Sequence, residues 1–119
     1  LEAALTEDAA AGHVPFFIVA TVGTTSSSAI DPVVAIAALA ARHGAWLHVD
    51  SAYAGSAAVA PELRFVNEGL ELAASYSFNP HKWLLTNFDA TAFWVADRAS
   101  LTNALSIVPC ADHVGVDLG

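Results

Sequence analysis

The chain predicts an α/β fold, a mostly parallel sheet with flanking helices, and three observations carry that prediction. Phe16-Phe17-Ile18-Val19-Ala20 and Ala45-Trp46-Leu47-His48-Val49 are short, almost unbroken apolar runs of the kind that form strands in parallel sheets. Between them Val33, Ile36, Ala37 and Ala40 recur at helical spacing. That helix has its own punctuation, Asp31-Pro32 at the start and Gly44 at the end.

Taken in order, residues 1–11 read as a helix, because Leu1, Leu5 and Ala9 fall near helical spacing and Gly12 offers a stop. His13-Val14-Pro15 breaks it. The run Phe16–Ala20 is apolar on both faces, which predicts a strand covered on both sides. It ends in Thr21-Val22-Gly23-Thr24-Thr25-Ser26-Ser27-Ser28, a loop dense in hydroxyls. Asp31 is expected to cap the next helix, with Pro32 at its first position, and the second strand then ends at Asp50. Strand, helix and strand in that order make a right-handed βαβ unit, which places the loops after both strands at one edge of the sheet. Ligands of open α/β sheets bind at that edge, so Thr25 and Asp50 are expected to converge.

The small residues Ser51-Ala52-Tyr53-Ala54-Gly55-Ser56-Ala57-Ala58 allow another body to approach closely. Pro61 to about Leu72 is predicted helical, although Gly69 interrupts it. Ala74–Phe78 is a third strand, delivering Asn79-Pro80-His81-Lys82, and Ala90–Ala96 is a fourth. Asp97 then caps a helix through Leu105.

Composition narrows the class of function. Charged residues make up 13% of the chain and hydrophobic ones 55%, against roughly 25% and about 45–50% in average globular domains. So few charges would leave apolar surface bare, and the chain is expected to be the inner part of a larger subunit, prone to aggregate by itself. The net charge of −8 comes with no basic patch, which argues against nucleic acid or an anionic membrane as partner. No apolar run approaches the roughly 18 residues needed to span a bilayer, and no signal-peptide pattern is present. Cys110 is alone, so no internal disulfide can form, and a cytoplasmic location is expected.

The chemistry is expected at Ser75-Tyr76-Ser77-Phe78-Asn79-Pro80-His81-Lys82-Trp83, which holds the only lysine of the chain. A lone lysine is ordinarily a surface charge. Here it is presented from the turn pair Asn79-Pro80 among Phe78, Trp83, Leu84 and Leu85, and partial desolvation would favour the free amine a Schiff base needs. Asp50 at a strand end could equally cap a helix, or hold the metal of a nucleotide site, but no Gly-x-x-x-x-Gly-Lys-Ser/Thr loop accompanies it. His48, Asp50 and His81 could together bind a metal, or His48 could be a packed, hydrogen-bonded residue. Ser56 follows a glycine, yet no Gly-x-Ser-x-Gly elbow for a serine hydrolase exists. One cofactor accounts for the set. Pyridoxal 5′-phosphate needs a lysine, a carboxylate facing its ring nitrogen, and hydroxyl or amide donors at its phosphate, and Lys82, Asp50, Thr25 and Asn79 are of those types.

Three stretches, Phe16–Thr25, His48-Val49-Asp50-Ser51-Ala52-Tyr53-Ala54-Gly55-Ser56-Ala57 and Asn79-Pro80-His81-Lys82-Trp83-Leu84-Leu85-Thr86-Asn87-Phe88-Asp89, resemble the group II pyridoxal-phosphate decarboxylases, in the aromatic-L-amino-acid branch. Trp83 and Tyr53-Ala54-Gly55 are more similar to that branch than to the glutamate branch. The resemblance implies that residues 1–109 are part of the large domain of the type I, aminotransferase-like fold, in a homodimer with active sites at the subunit interface. It implies Lys82 as the Schiff-base lysine, Asp50 at the ring nitrogen, Ala52 on the ring face, and Thr25, Asn79 and His81 around the cofactor. Lys82, Asp50 and His81 would be the catalytic residues, with no metal. Ser51 stands where alanine is usual in such proteins.

The function so implied is release of carbon dioxide from an aromatic L-amino acid, with an aldehyde synthase using the same cofactor, or a non-catalytic remnant, as alternatives. Residues 110–119 diverge from the resemblance. Ala111 falls where the family carries a loop tyrosine, so this tail is expected to be foreign to the fold.

Overall fold

The computed structural model of the chain describes residues 1–106. The elements run α1 (Glu2–Ala10), β1 (Phe17–Thr21), α2 (Val33–His43), β2 (Trp46–Asp50), β3 (Ser75–Phe78), α3 (Pro80–Trp83), β4 (Ala92–Val95) and α4 (Arg98–Leu105). Three stretches of 3₁₀ helix, Ala54–Val59, Pro61–Asn67 and Leu70–Leu72, lie between β2 and β3. The four-stranded sheet has the order β1-β2-β3-β4. The first three strands are parallel and β4 returns antiparallel to β3. The α/β class, the mostly parallel sheet and the flanking helices are thus as the sequence predicts. The division at residues 109 and 110, and with it Ala111 and Cys110, lies outside the described residues.

The core sits on one face of the sheet. Ile18, Ala20, Leu47 and Val49 point to that face and are buried, as are Val33, Ile36, Ala37 and Ala40 of α2. The helical stripe and the inward-facing strand residues are therefore the two halves of one hydrophobic contact. Gly44 ends α2 at φ +64, its N–H reaching back to the Ala40 and Ala41 carbonyls. Leu5 docks α1 on this core, and the Arg42 guanidinium donates to Glu2 Oε1 at 2.6 Å, which holds the Glu2 carboxyl below its usual range.

Three expectations need correction. The strand Phe17–Thr21 is not covered on both sides by the described residues: Phe17 is 50% and Val19 49% exposed, while Ile18 and Ala20 are buried. The described chain puts α2 on one face only, so the apolar residues of the other remain open. Asp31 does not cap α2. Its Oδ2 accepts the Thr21 N–H at 2.8 Å and its own N–H donates to the Thr21 carbonyl at 2.9 Å, which closes the base of the hydroxyl-rich loop. The segment 61–72 is not one helix but two 3₁₀ stretches broken at Gly69. Gly69 adopts φ +84, and a Cβ there would lie 2.9 Å from Val34 Cγ2, so this position both reverses the chain and packs on α2. Asp97, by contrast, caps α4 as expected, accepting from Ala99 and Ser100 N–H.

The run of small residues after Asp50 is explained by β3. A Cβ on Gly55 would come within 2.6 Å of both Phe78 Cβ and Tyr76 Oη and 3.0 Å of Ser51 Cβ. Gly55→Ala is therefore expected to destabilise the protein by about 1–3 kcal/mol through overpacking, measurable as a lowered denaturation midpoint at unchanged m-value. Burial pushes the Tyr76 phenol up from its ordinary value, and the neighbouring Ser51 hydroxyl offsets part of that rise. Below the unfolded phenol's pKa of about 10 both states are neutral, whereas above it the unfolded chain ionises first. Stability should consequently fall as pH rises past about 10, and Tyr76→Phe should flatten that alkaline limb in a pH series of thermal melts.

Candidate functional site

The parallel register determines which residues meet. Thr21 pairs with Asp50, and Asp50 with Ser77, so the carboxyl ends of β1, β2 and β3 finish at one edge. Thr21, Gly23, Thr24 and Thr25 from the first loop, Asp50, Ala52 and Tyr53 from the second, and Lys82 from α3 line a cleft of about 220 Å³ there. The convergence of Thr25 and Asp50, expected from the βαβ unit, is present.

Each wall of the cleft is held locally. The first loop folds on itself: Val22 bridges Ile30, Gly23 and Thr24 N–H both donate to the Ala29 carbonyl, and Thr24 Oγ1 accepts the Ala29 N–H at 3.1 Å and shares a hydrogen with Ser27 Oγ at 2.8 Å. Gly23 takes φ +74, and a Cβ there would lie 2.1 Å from Ala54 Cβ. Only glycine lets the two loops approach so closely. Asp50 is half-buried at the end of β2, and its Oδ1 accepts the Ala52 N–H at 2.9 Å. That bond orients the carboxylate by the turn that follows it and leaves Oδ2 with no hydrogen-bond partner among the described residues.

Lys82 rides on a single turn of helix. Pro80 opens it at a position where no N–H is needed, and Lys82 and Leu84 N–H donate to the Asn79 and Pro80 carbonyls. Lys82 itself is exposed, Trp83 is 41% exposed and Leu85 99%, so the apolar cover expected around the amine is not supplied by the described residues.

Asn79 and His81 do not line the cleft. The His81 ring meets the following strand instead: Nδ1 lies 2.8 Å from the Ala90 carbonyl oxygen and 3.1 Å from its N–H, so one tautomer donates to the former and the other accepts from the latter. His81 also packs edge-on to Phe88 with centroids 4.9 Å apart. His48 takes the second of the two roles open to it. Its ring stacks between Phe17 and Phe93, at 6.3 and 5.9 Å, while Nδ1 meets Ser75 Oγ at 2.8 Å and Nε2 meets Ser77 Oγ at 3.3 Å. Trp46 Nε1 donates to the same Ser75 hydroxyl at 2.8 Å. Among the described residues no three His, Cys, Asp or Glu side chains come together as a metal site, so the grouping of His48, Asp50 and His81 does not assemble.

Sequence reasoning overlooked Thr21, Gly23, Thr24 and Tyr53 as cleft residues. Tyr53 carried a signal, being the one large side chain in a run of small ones.

A carboxylate, a hydroxyl-lined loop and a lysine thus meet at the carboxyl edge of a parallel sheet, the edge at which open α/β sheets bind ligands. Residues 1–111 match the family model described as the pyridoxal-dependent decarboxylase conserved domain, and the chain belongs to that family. Over 109 residues it is 50% identical to aromatic-L-amino-acid decarboxylase of Mus musculus and 52% identical to phenylacetaldehyde synthase of Arabidopsis thaliana, alignments that take in 92% of this chain but 23% and 22% of those proteins. The crystal structure of Oryza sativa TDC with PLP and tryptamine superposes with a TM-score of 0.87 at 52% identity, over 91% of this chain and 22% of that one. The chain therefore spans less than a quarter of the length of these relatives.

Proposed function

We propose that the cleft holds pyridoxal 5′-phosphate and that the full-length protein uses it to decarboxylate an aromatic L-amino acid. The observation that carries this reading is the lining of one cleft by Asp50, the Thr24-Thr25 loop and Lys82. The donor set suits the group: a carboxylate with one oxygen unengaged for a ring nitrogen, threonine hydroxyls for an anion, an amine for the aldehyde, and a small apolar alanine, Ala52, beside the carboxylate. When bound, that cofactor supplies an electron sink for the bond broken at the substrate's alpha carbon.

The protein's own part follows from charge and position. Asp50, fixed by the Ala52 N–H, would keep a proton on the ring nitrogen, and a ring held cationic is the better acceptor for the electron pair released at the alpha carbon, which lowers the barrier rather than merely tightening binding. Lys82 would hold the cofactor through its amine. Thr25, with Thr24 beside it, would take the anionic end. We assign Asn79 and His81 a supporting place, Asn79 as the residue before α3 and His81 as the link from that turn to Ala90. The similarity to both a decarboxylase and an aldehyde synthase supports two outcomes of one site, amine or aldehyde. Product analysis of the full-length protein separates them, since the second yields ammonia and peroxide as well. A homodimer in the cytoplasm completes the proposal. The homodimer is supported by the apolar surface that the described residues leave open, at Phe16, Leu85 and Phe88.

Two experiments test the assignment. Borohydride reduction of the full-length protein loaded with cofactor, followed by peptide mapping, should place the pyridoxyl group on Lys82; a label on another lysine would refute it. Asp50→Asn keeps the Ala52 contact but not the charge, and should retain cofactor while lowering turnover at least about 100-fold, as expected when one member of a partly buried charge pair worth about 3–5 kcal/mol is removed. Unchanged turnover would mean that Asp50 does not face the ring nitrogen.

A further inference from the structure

Lys82 lies on a helix of one turn, too short to hold its own position, so whatever fixes the lysine must lie outside that turn. The two residues flanking it supply the anchors. On one side His81 is tied to Ala90 and Phe88. On the other, Trp83 meets Tyr53 edge to face, with ring centroids 5.1 Å apart and planes at 89°. Tyr53 is also a wall of the cleft, directly after Asp50-Ser51-Ala52. The edge of one ring against the face of another is the arrangement in which the quadrupoles attract. This contact joins the loop that carries the carboxylate to the turn that carries the amine. The neighbours of Tyr53 in sequence, Ala52, Ala54 and Gly55, are all small.

We propose that Tyr53 and Trp83 form a positioning pair which sets the distance of Lys82 from Asp50 across the cleft. The proposal rests on the reading of the cleft as a pyridoxal phosphate site, but its mechanical half does not depend on that ligand. Neither ring takes or gives a proton. Their task is to keep α3 docked against the 52–54 turn, so that the amine reaches the cofactor without first paying the entropy of ordering its loop.

The test is a double-mutant cycle in the full-length protein with Tyr53→Leu, Trp83→Leu and the pair, plus Tyr53→Phe as the conservative variant. Two quantities are read. Hydrogen exchange in the cofactor-free protein reports the docking of α3 at the Lys82 and Leu84 amides. Cofactor dissociation, followed by the visible absorbance of the lysine adduct, reports the consequence. A contact of this kind corresponds to roughly 2- to 13-fold in an equilibrium. Each leucine variant should raise exchange at those two amides and cofactor release by a factor in that range. The double variant should be no worse than the poorer single, and Tyr53→Phe should restore both readings. Exchange elsewhere in the sheet should stay as in the parent, which a general loss of stability would not allow. Additive losses, or exchange at Lys82 and Leu84 unmoved by either change, would overturn the proposal. If exchange responds as expected while borohydride places no label on Lys82 in the parent protein, the pair stands as a clamp and the cofactor reading fails. If the label is present and exchange responds but release does not, the pair does not set the lysine's reach and the proposal is overturned in that half.

Discussion

The parallel pairing of β1, β2 and β3 is the constraint on which the site depends. Antiparallel neighbours would send successive loops to opposite ends of the sheet, whereas parallel strands joined by crossovers deliver every strand-to-loop junction to the same end. With Thr21 beside Asp50 and Asp50 beside Ser77, a hydroxyl loop, a carboxylate and the lead-in to the lysine turn arrive within one cleft. One face of β1 and β2 is sealed by α2. Chemistry at the edge is thus underwritten by Ile18, Ala20, Leu47 and Val49 packed against Val33, Ile36, Ala37 and Ala40, none of which touches the cleft.

Closeness at that edge needs small residues at particular points. Gly23 faces Ala54, and Gly55 faces Tyr76 and Phe78, at separations no larger side chain could accommodate. Tyr53 is the one large side chain in the run 51–58, and its ring meets Trp83. Bulk is absent where backbones must meet and present where a loop must be gripped.

The elements with one dominant signal were legible in the sequence. The stripe on α2, the Gly44 stop and the Asp97 cap each follow from a local rule, and each is found. The convergence of Thr25 and Asp50 was also legible, since it follows from the order of elements rather than from any side chain, whereas Lys82 was joined to them by the chemistry of one cofactor. What local rules could not supply was competition between distant groups. Asp31 has the chemistry of a cap, but Thr21 presents a free N–H and carbonyl opposite it and wins. Residues 61–72 carry enough helix formers to suggest a helix, yet Gly69 is needed in a left-handed turn against α2. The run Phe17–Ala20 gives no hint of which face α2 will take. The resemblance implies His81 around the cofactor, and the contact its ring makes with the Ala90 carbonyl is one that no local rule picks out.

The reversed direction of β4 has a consequence for how the lysine can move. Because Phe78 pairs with Ala92, the segment between them leaves the sheet and re-enters it at the same edge, on adjacent strands. The lysine is thus mounted on a closed bight of chain rather than on a free-running arm. Both ends of that bight are moored a strand's width apart, about 4.8 Å. It can flex toward or away from the carboxylate, but it cannot drift along the sheet. Movement of the lysine toward or away from Asp50 becomes a short radial stroke, with the return path built into the chain.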